Sequence, residues 1–166
     1  MKKIIILSLI VTSQLMAHAQ TSGDPKVDAL IAQLKDQNNS KGTVTFSGKG
    51  ATVTDAASII KNQNGVYDVG SSLVKSNSPS QIHLLVKKIT NGKQTIIKDK
   101  NNSSIALING TAYELAGDIT FTVKGKTVNA SFKGTLYEID KKKAKAADTP
   151  SGTITATFKN ITIPNM

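Results

Sequence analysis

The sequence predicts a mainly β protein, folded as an antiparallel β-sandwich or β-barrel with one N-terminal amphipathic helix. Apolar and polar residues alternate along several stretches between residues 43 and 163, as in strands with one buried and one solvated face. Turn sequences that contain glycine separate these stretches. A single stretch, over residues 25–37, has a helical period, so a sheet with alternating helices and strands is not expected.

The first nineteen residues have the composition of a secretory signal peptide. Residues 1–3 form a basic head, residues 4–11 are apolar, and an Ala-x-Ala exit ends at Ala19. The apolar run is far shorter than the roughly 20 residues of a membrane-spanning helix. We expect cleavage between Ala19 and Gln20, and an exported protein that is periplasmic or extracellular, soluble and without a transmembrane segment.

The remaining residues, 20–166, have a normal length for one domain. The first element of this domain is the helix predicted over residues 25–37. Asp24 suits its N-cap, and Pro25 suits its first helical position. The apolar residues of this segment share one helical face: Val27, Leu30, Ile31 and Leu34.

The strands from residue 43 to residue 163 should number about seven to nine. The chain has four phenylalanines, and each follows an apolar residue and a Thr or Ser: Phe46, Phe121, Phe132 and Phe158. We expect these rings at the centre of the core, because burying each is worth about 1.5–3 kcal/mol. Over residues 55–80 the sequence is compatible with a strand and with a short helix capped by Thr54.

Turn residues mark the connections between strands. Asn91 and Gly92 predict a type I′ hairpin between the strands on either side, and Gly125 and Lys126 predict a turn between the next two long strands. Gly134 predicts a bulge or bend at which the buried and solvated faces exchange, since the apolar residues after it fall out of phase.

An exposed basic loop is predicted over residues 140–152. Its lysines are candidates for contact with an anionic envelope surface: Lys141, Lys142, Lys143 and Lys145. The chain has a net charge of +10, which falls to +8 when Lys2 and Lys3 leave with the signal peptide. Diffuse positive charge attracts a protein to anionic surfaces, and it also serves solubility alone.

Missing residue types exclude several kinds of chemistry. The absence of cysteine excludes disulfides and a lipid-anchored cysteine. All 21 basic residues are lysine and tryptophan is absent, which argues against nucleic acid as a partner. His83 is the one histidine outside the signal peptide, so a zinc site is not expected, and no other cofactor is predicted.

Three motifs carry candidate chemistry. Asp99, Asn101 and Ser103 alternate as in a calcium loop, but Gly110 stands where that loop needs glutamate, so an ordinary polar loop is favoured. His83 has no nucleophile beside it and is interpreted as a strand histidine. Four acidic residues could supply a glycosidase-like carboxylate pair: Glu114, Glu138, Asp118 and Asp140.

Thr-x-Thr repeats lie on the predicted solvent faces of several strands. They include Thr43 with Thr45, Thr52 with Thr54, Thr120 with Thr122, and Thr153 with Thr155 and Thr157. Such rows can order water, although threonine is also a common strand residue.

The leader MKKIIIL, which ends in AHAQ, the hairpin GDITFTVKG to ASFKGTLYEI and the closing strand SGTITATFKNITI resemble those of small secreted β-rich proteins of Bacteroidetes, a group of uncharacterised function. The likeness covers the leader and residues 104–163. It implies a periplasmic or extracellular location and assigns no functional residue.

The sequence therefore predicts an exported, non-enzymatic β domain that binds a ligand, an envelope component or a partner protein. Two alternatives remain open. One is a lipocalin-like carrier of a small apolar molecule, and the other is a hydrolase that uses aspartate and glutamate.

Overall fold

The computed structural model describes residues 24–25, 27–28, 31–32, 41–62, 64–99, 103–140, 142–143 and 145–163. Of these residues 64% lie in strands, and the strands form one antiparallel ten-stranded sheet. The predicted mainly β class is confirmed.

The chain divides into two compact units, residues 1–32 and 33–166. The signal peptide and its predicted cleavage site lie outside the described residues. The helix predicted over residues 25–37 is not supported, because most of that range is also outside them. The residues of this range that are described, 25, 27–28 and 31–32, have helical conformation, and the Asp28 N–H donates to the Asp24 carbonyl oxygen at 2.9 Å.

The second unit contains all ten strands. They are β1 (Gly42–Gly48), β2 (Ala51–Lys61), β3 (Tyr67–Ser71), β4 (Gln81–Val86), β5 (Gly92–Ile96), β6 (Ile105–Ile108), β7 (Thr111–Lys124), β8 (Thr127–Asp140), β9 (Lys145–Ala146) and β10 (Gly152–Thr162). Of the two alternatives for residues 55–80, the structure has strands, β2 and β3, and no helix over the described residues of that range.

The strand order is β5-β7-β6-β4-β3-β2-β1-β10-β8-β9, with a further pairing between β7 and β8. One edge of β7 therefore pairs first with β6 and then with β5, while its other edge pairs with β8. Hydrogen-bonded pairs thus lead from β7 through β6, β4, β3, β2, β1, β10 and β8 back to β7.

The core consists of one set of alternating residues from these strands. All four phenylalanines are buried and belong to one hydrophobic cluster: Phe46, Phe121, Phe132 and Phe158. Their predicted central position is confirmed. The cluster also includes the fully buried aliphatic residues Leu84, Leu115, Ile119, Leu136 and Ile154.

Two-residue turns join β1 to β2, β6 to β7 and β7 to β8. Lys49 and Gly50, with φ of 51° and 75°, join β1 to β2, and both angles are positive as a type I′ turn requires. The predicted turn at Gly125 is confirmed between β7 and β8. The hairpin predicted at Asn91 is wrong, because β5 pairs with β7 and the Asn91 Oδ1 accepts a hydrogen bond from the Val123 N–H at 2.6 Å.

The exchange of faces predicted at Gly134 is also wrong. Along β8 the buried residues keep strict alternation through Phe132, Gly134 and Leu136, and the register with β7 is unbroken. The irregularity lies instead in β10, whose register with β8 shifts between Phe158 and Ile161. An extra residue in one strand is a β-bulge, and it bends β10 locally.

Candidate functional site

A loop leaves the sheet beside β7. Ile96 at the end of β5 pairs with Gly117, and Ile105 at the start of β6 pairs with Glu114. Only residues 115 and 116 lie between these two partners on β7, so the described residues of the β5–β6 connection, 97–99 and 103–104, cannot all pair with β7. We call these five residues the 97–104 loop.

The loop is held by a carboxylate on the solvent side of β7. The Asp99 N–H donates to Glu114 Oε1 at 3.0 Å, and the Ser103 hydroxyl lies 3.1 Å from the same oxygen. Glu114 is only 8% exposed as a result. Its second oxygen, Oε2, has no hydrogen-bond partner among the residues that the structure describes. A buried carboxylate oxygen without a partner is costly, and such groups often mark sites.

A short hairpin faces the loop. In it β9 pairs with the end of β8, with Ile139 opposite Ala146. Lys98 links the two segments, because its Nζ donates to the Ala147 carbonyl at 2.9 Å and lies 4.2 Å from the centre of the Tyr137 ring. That distance is within the range of a cation–π contact.

Between the loop and the hairpin lies a cleft of about 440 Å³. Its lining comprises Lys98, Asp99, Ser103, Glu114, Ile139, Lys145, Ala146 and Asp148. This volume is within the range of small-molecule sites, and the lining combines two apolar side chains with convergent polar groups. Both lysines already have partners, since Lys145 Nζ is 3.5 Å from Asp148 Oδ2 and Lys98 binds the Ala147 carbonyl.

The predicted basic loop is described except at residues 141 and 144. Of its four candidate lysines, Lys145 is in β9 and lines the cleft, whereas Lys142 and Lys143 are exposed and Lys141 is outside the described residues. The Asp140 carboxylate accepts the N–H groups of Lys142 and Lys143 at 2.8 and 3.3 Å. Contact of these lysines with an anionic surface stays a prediction.

The four predicted acidic residues do not come together. Glu114 is at the cleft, but Glu138 pairs with Tyr113 and points to the opposite side of the sheet. Asp118 forms an ion pair with Lys93 at 2.8 Å. The Lys93 and Thr95 hydrogen bonds lower the pKa of Asp118. The Asp140 carboxylate accepts hydrogen bonds from the backbone of the turn that follows it.

His83 lies on the outer face of β4 and contacts Asp68 of β3. Its Nδ1 is 3.1 Å from Asp68 Oδ2. Burial lowers the pKa of His83, but the hydrogen bond and the negative charge of Asp68 raise it, and the net shift is upward. The ring lies close to β3 because Gly70 has no Cβ, which would be 2.9 Å from Nδ1. His83 is thus a partly buried strand residue that pairs with Asp68.

Sequence reasoning missed Asp99 and Asp148 as companions of Glu114. They are distant in sequence and meet only because the 97–104 loop and the β8–β9 hairpin flank the same strand. Within the described ranges, no group of three or more His, Cys, Asp or Glu side chains is placed to hold a metal ion. No helix in that part of the chain is long and apolar enough to cross a bilayer.

A scan of protein-family models and searches of curated proteins and of solved structures found no match to this chain. The likeness to secreted proteins of Bacteroidetes therefore stays a prediction.

Proposed function

We propose that this protein is an exported, non-enzymatic β domain that binds a small cationic molecule in the cleft over Glu114. One observation carries the proposal: Glu114 is 8% exposed, lines a cleft of about 440 Å³ and keeps one carboxylate oxygen without a partner among the described residues. Export rests on the signal-peptide pattern of residues 1–19.

The charge of the cleft favours a cation. Glu114 and Asp99 line it, Lys145 and Asp148 form an ion pair with each other, and Lys98 is bound to the Ala147 carbonyl oxygen. An ammonium group at Glu114 Oε2 would form a charge-assisted hydrogen bond in a poorly hydrated position, where such bonds are strong. Ile139 and Ala146 provide apolar contact for the rest of the molecule.

For the architecture we propose a closed β-barrel, supported by the hydrogen-bonded pairs that lead from β7 around to β7 again. The side chains that would face its interior include the four buried phenylalanines and form one cluster. Such packing favours a ligand outside the barrel and counts against the lipocalin-like carrier, which needs an interior cavity.

The test is titration of the mature protein with methylammonium, putrescine and spermidine, followed by amide chemical shifts. The decisive variant is Glu114→Gln, since an amide still accepts the Asp99 N–H but has no charge. Its matched control is Glu138→Gln, an exposed glutamate that does not line the cleft.

We expect at least one probe to shift the amides of the 97–104 loop, with affinity about tenfold or more lower in Glu114→Gln and unchanged in Glu138→Gln. Equal effects of the two substitutions, or no shift with any probe, would contradict the proposal.

A carboxylate hydrolase is the second candidate, because three acidic residues and Ser103 share this cleft. Against it, Glu114 Oε1 is engaged by the Asp99 N–H, and no imidazole lines the cleft to activate Ser103. Turnover of a glycoside or ester that is lost in Glu114→Gln and retained in Glu138→Gln would establish the hydrolase instead.

A further inference from the structure

A second surface stands apart from the cleft, on the solvent side of five neighbouring strands. One row of residues runs across β2, β1, β10, β8 and β7 in register: Thr54, Thr45, Thr157, Ser131 and Thr120. All five are exposed. Paired residues of adjacent strands are roughly 5 Å apart, so the row is an unbroken line of hydroxyl groups.

The next row also begins with hydroxyl side chains, but its last two residues are charged. It consists of Thr52, Ser47, Thr155, Lys133 and Asp118. Within the rows, hydroxyls contact each other directly, since Thr45 Oγ1 lies 2.9 Å from Thr54 Oγ1 and Ser47 Oγ lies 2.9 Å from Thr52 Oγ1. We call these two rows the hydroxyl face. Each Thr-x-Thr repeat of the sequence thus contributes one or two threonines to one surface.

The β-bulge of β10 makes a groove at one side of this face. The Asn160 N–H donates to Asn129 Oδ1 at 2.9 Å, and Asn160 has a positive φ of 54°. The resulting groove of about 350 Å³ is lined in part by Thr120, Thr157, Lys159 and Asn160. Its polar groups are hydroxyls, amides and one ammonium, which both donate and accept hydrogen bonds.

The face is also cationic. Lys133 and Lys159 are exposed and form no ion pair with the residues that the structure describes. Asp118 is the acidic member of the two rows, and Lys93 neutralises it at 2.8 Å. A ligand that fits this surface should therefore be rich in hydroxyl groups and negatively charged.

We propose that the hydroxyl face binds an acidic polysaccharide. Sugar hydroxyls would exchange hydrogen bonds with the threonine rows, and acid groups along the polymer would contact Lys133 and Lys159. A membrane surface is a poorer fit, because neither row offers an apolar side chain for the lipid phase. A protein partner is also disfavoured, since protein interfaces concentrate aromatic residues at their centre.

The charge part of the proposal is tested with polygalacturonate as the probe. The double variant Lys133→Gln with Lys159→Gln removes the lysine charge of the second row and that of the groove. Its matched control, Lys87→Gln with Lys88→Gln, removes two exposed lysines that lie outside both rows and do not line the groove. We expect binding to weaken about five- to tenfold in the first variant and less than twofold in the control. Equal losses would overturn the proposal, because they would indicate attraction by net charge alone.

The hydroxyl part is tested with Thr120→Val and Thr157→Val together, which keep charge and strand propensity. We expect about fivefold weaker binding of polygalacturonate and unchanged binding of polyglutamate, an acidic polymer without sugar hydroxyls. Unchanged binding of both polymers would overturn the proposal. Tighter binding to phosphatidylglycerol vesicles than to polygalacturonate would also overturn it and identify a membrane surface as the occupant.

The residues of the hydroxyl face and Lys159 do not line the cleft over Glu114, so Glu114→Gln should leave polygalacturonate binding unchanged. The two proposals can therefore fail separately.

Discussion

Gly117 of β7 and Gly134 of β8 are cross-strand partners, and a Cβ on either would collide with its surroundings. At Gly117 it would lie 2.4 Å from the Gly134 Cα, and at Gly134 it would lie 2.3 Å from Cζ of the Phe132 ring. Each glycine lies two residues from buried side chains of its own strand, Leu115 and Ile119 on β7 and Phe132 and Leu136 on β8. The Phe132 ring occupies the space that a side chain at Gly134 would need.

We predict that Gly134→Ala lowers the free energy of unfolding by about 1–3 kcal/mol, because the new Cβ would collide with the Phe132 ring and with the Ala116 carbonyl oxygen. Urea denaturation of the mature protein measures the change. Gly48→Ala is the matched control, since the nearest atom to its Cβ is 3.2 Å away. A smaller loss in Gly134→Ala than in Gly48→Ala would show that Phe132 adapts easily.

The ion pair of His83 and Asp68 predicts a stability that depends on pH. The folded-state pKa of His83 is raised, so the pair stabilises fully below the unfolded pKa and loses its effect as pH rises through the folded pKa. Asp68→Asn should therefore reduce the free energy of unfolding more at about pH 5.5 than at about pH 8.5.

Asp118→Asn is the matched control for this pH dependence. Its partner is Lys93, and the hydrogen bonds from Lys93 and Thr95 lower the pKa of Asp118, so the Asp118 carboxylate stays charged across that interval. The cost of this substitution should be the same at both pH values. A pH dependence of equal size in the two variants would argue against a role of His83.

Glu114 should stabilise the 97–104 loop independently of any ligand. We predict that Glu114→Ala accelerates amide hydrogen exchange of Asp99, because it removes the acceptor of that N–H, at a local cost of about 1–3 kcal/mol. Glu114→Gln should retain most of the protection. Similar exchange rates in both variants would mean that the carboxylate charge holds the loop and the acceptor geometry does not.

Ser104 completes the sheet where backbone pairing ends. It is 1% exposed, and its hydroxyl accepts the Leu85 N–H at 2.9 Å, beyond the last pair of β4 and β6. We predict a loss of about 1 kcal/mol in Ser104→Ala, because a partly buried N–H loses its partner. Thermal unfolding measures the loss, and Ser131→Ala, an exposed serine, should have almost no effect. Equal melting temperatures would contradict this.

Most strands could be predicted because alternation is a local signal. The burial of Phe46 and Phe158 follows from the same pattern, since an aromatic ring has no better place than the core. The turn at Gly125 was predictable because two residues suffice to form it. Asn91 and Gly92 have a similar turn sequence, but the hairpin predicted there was wrong, since a hairpin also requires that the flanking strands pair with each other.

The helix predicted over residues 25–37 rests on a local sequence pattern alone. A segment of that length is marginal as an isolated helix in water, so an amphipathic stripe does not by itself decide whether it forms. Gly134 shows another limit, because its meaning depends on the position of the Phe132 ring and on Gly117 in the neighbouring strand.

The sequence alone determined the mainly β class, the aromatic core and the threonine rows, because each depends on residues that alternate within one strand. Only the tertiary structure decided which strands pair, and therefore which surfaces Glu114 and the threonines belong to. Glu114 lines a cleft because β5 and β6 share one edge of β7 and force the 97–104 loop outward. The threonines form one face because five strands pair in a register that no local sequence pattern specifies.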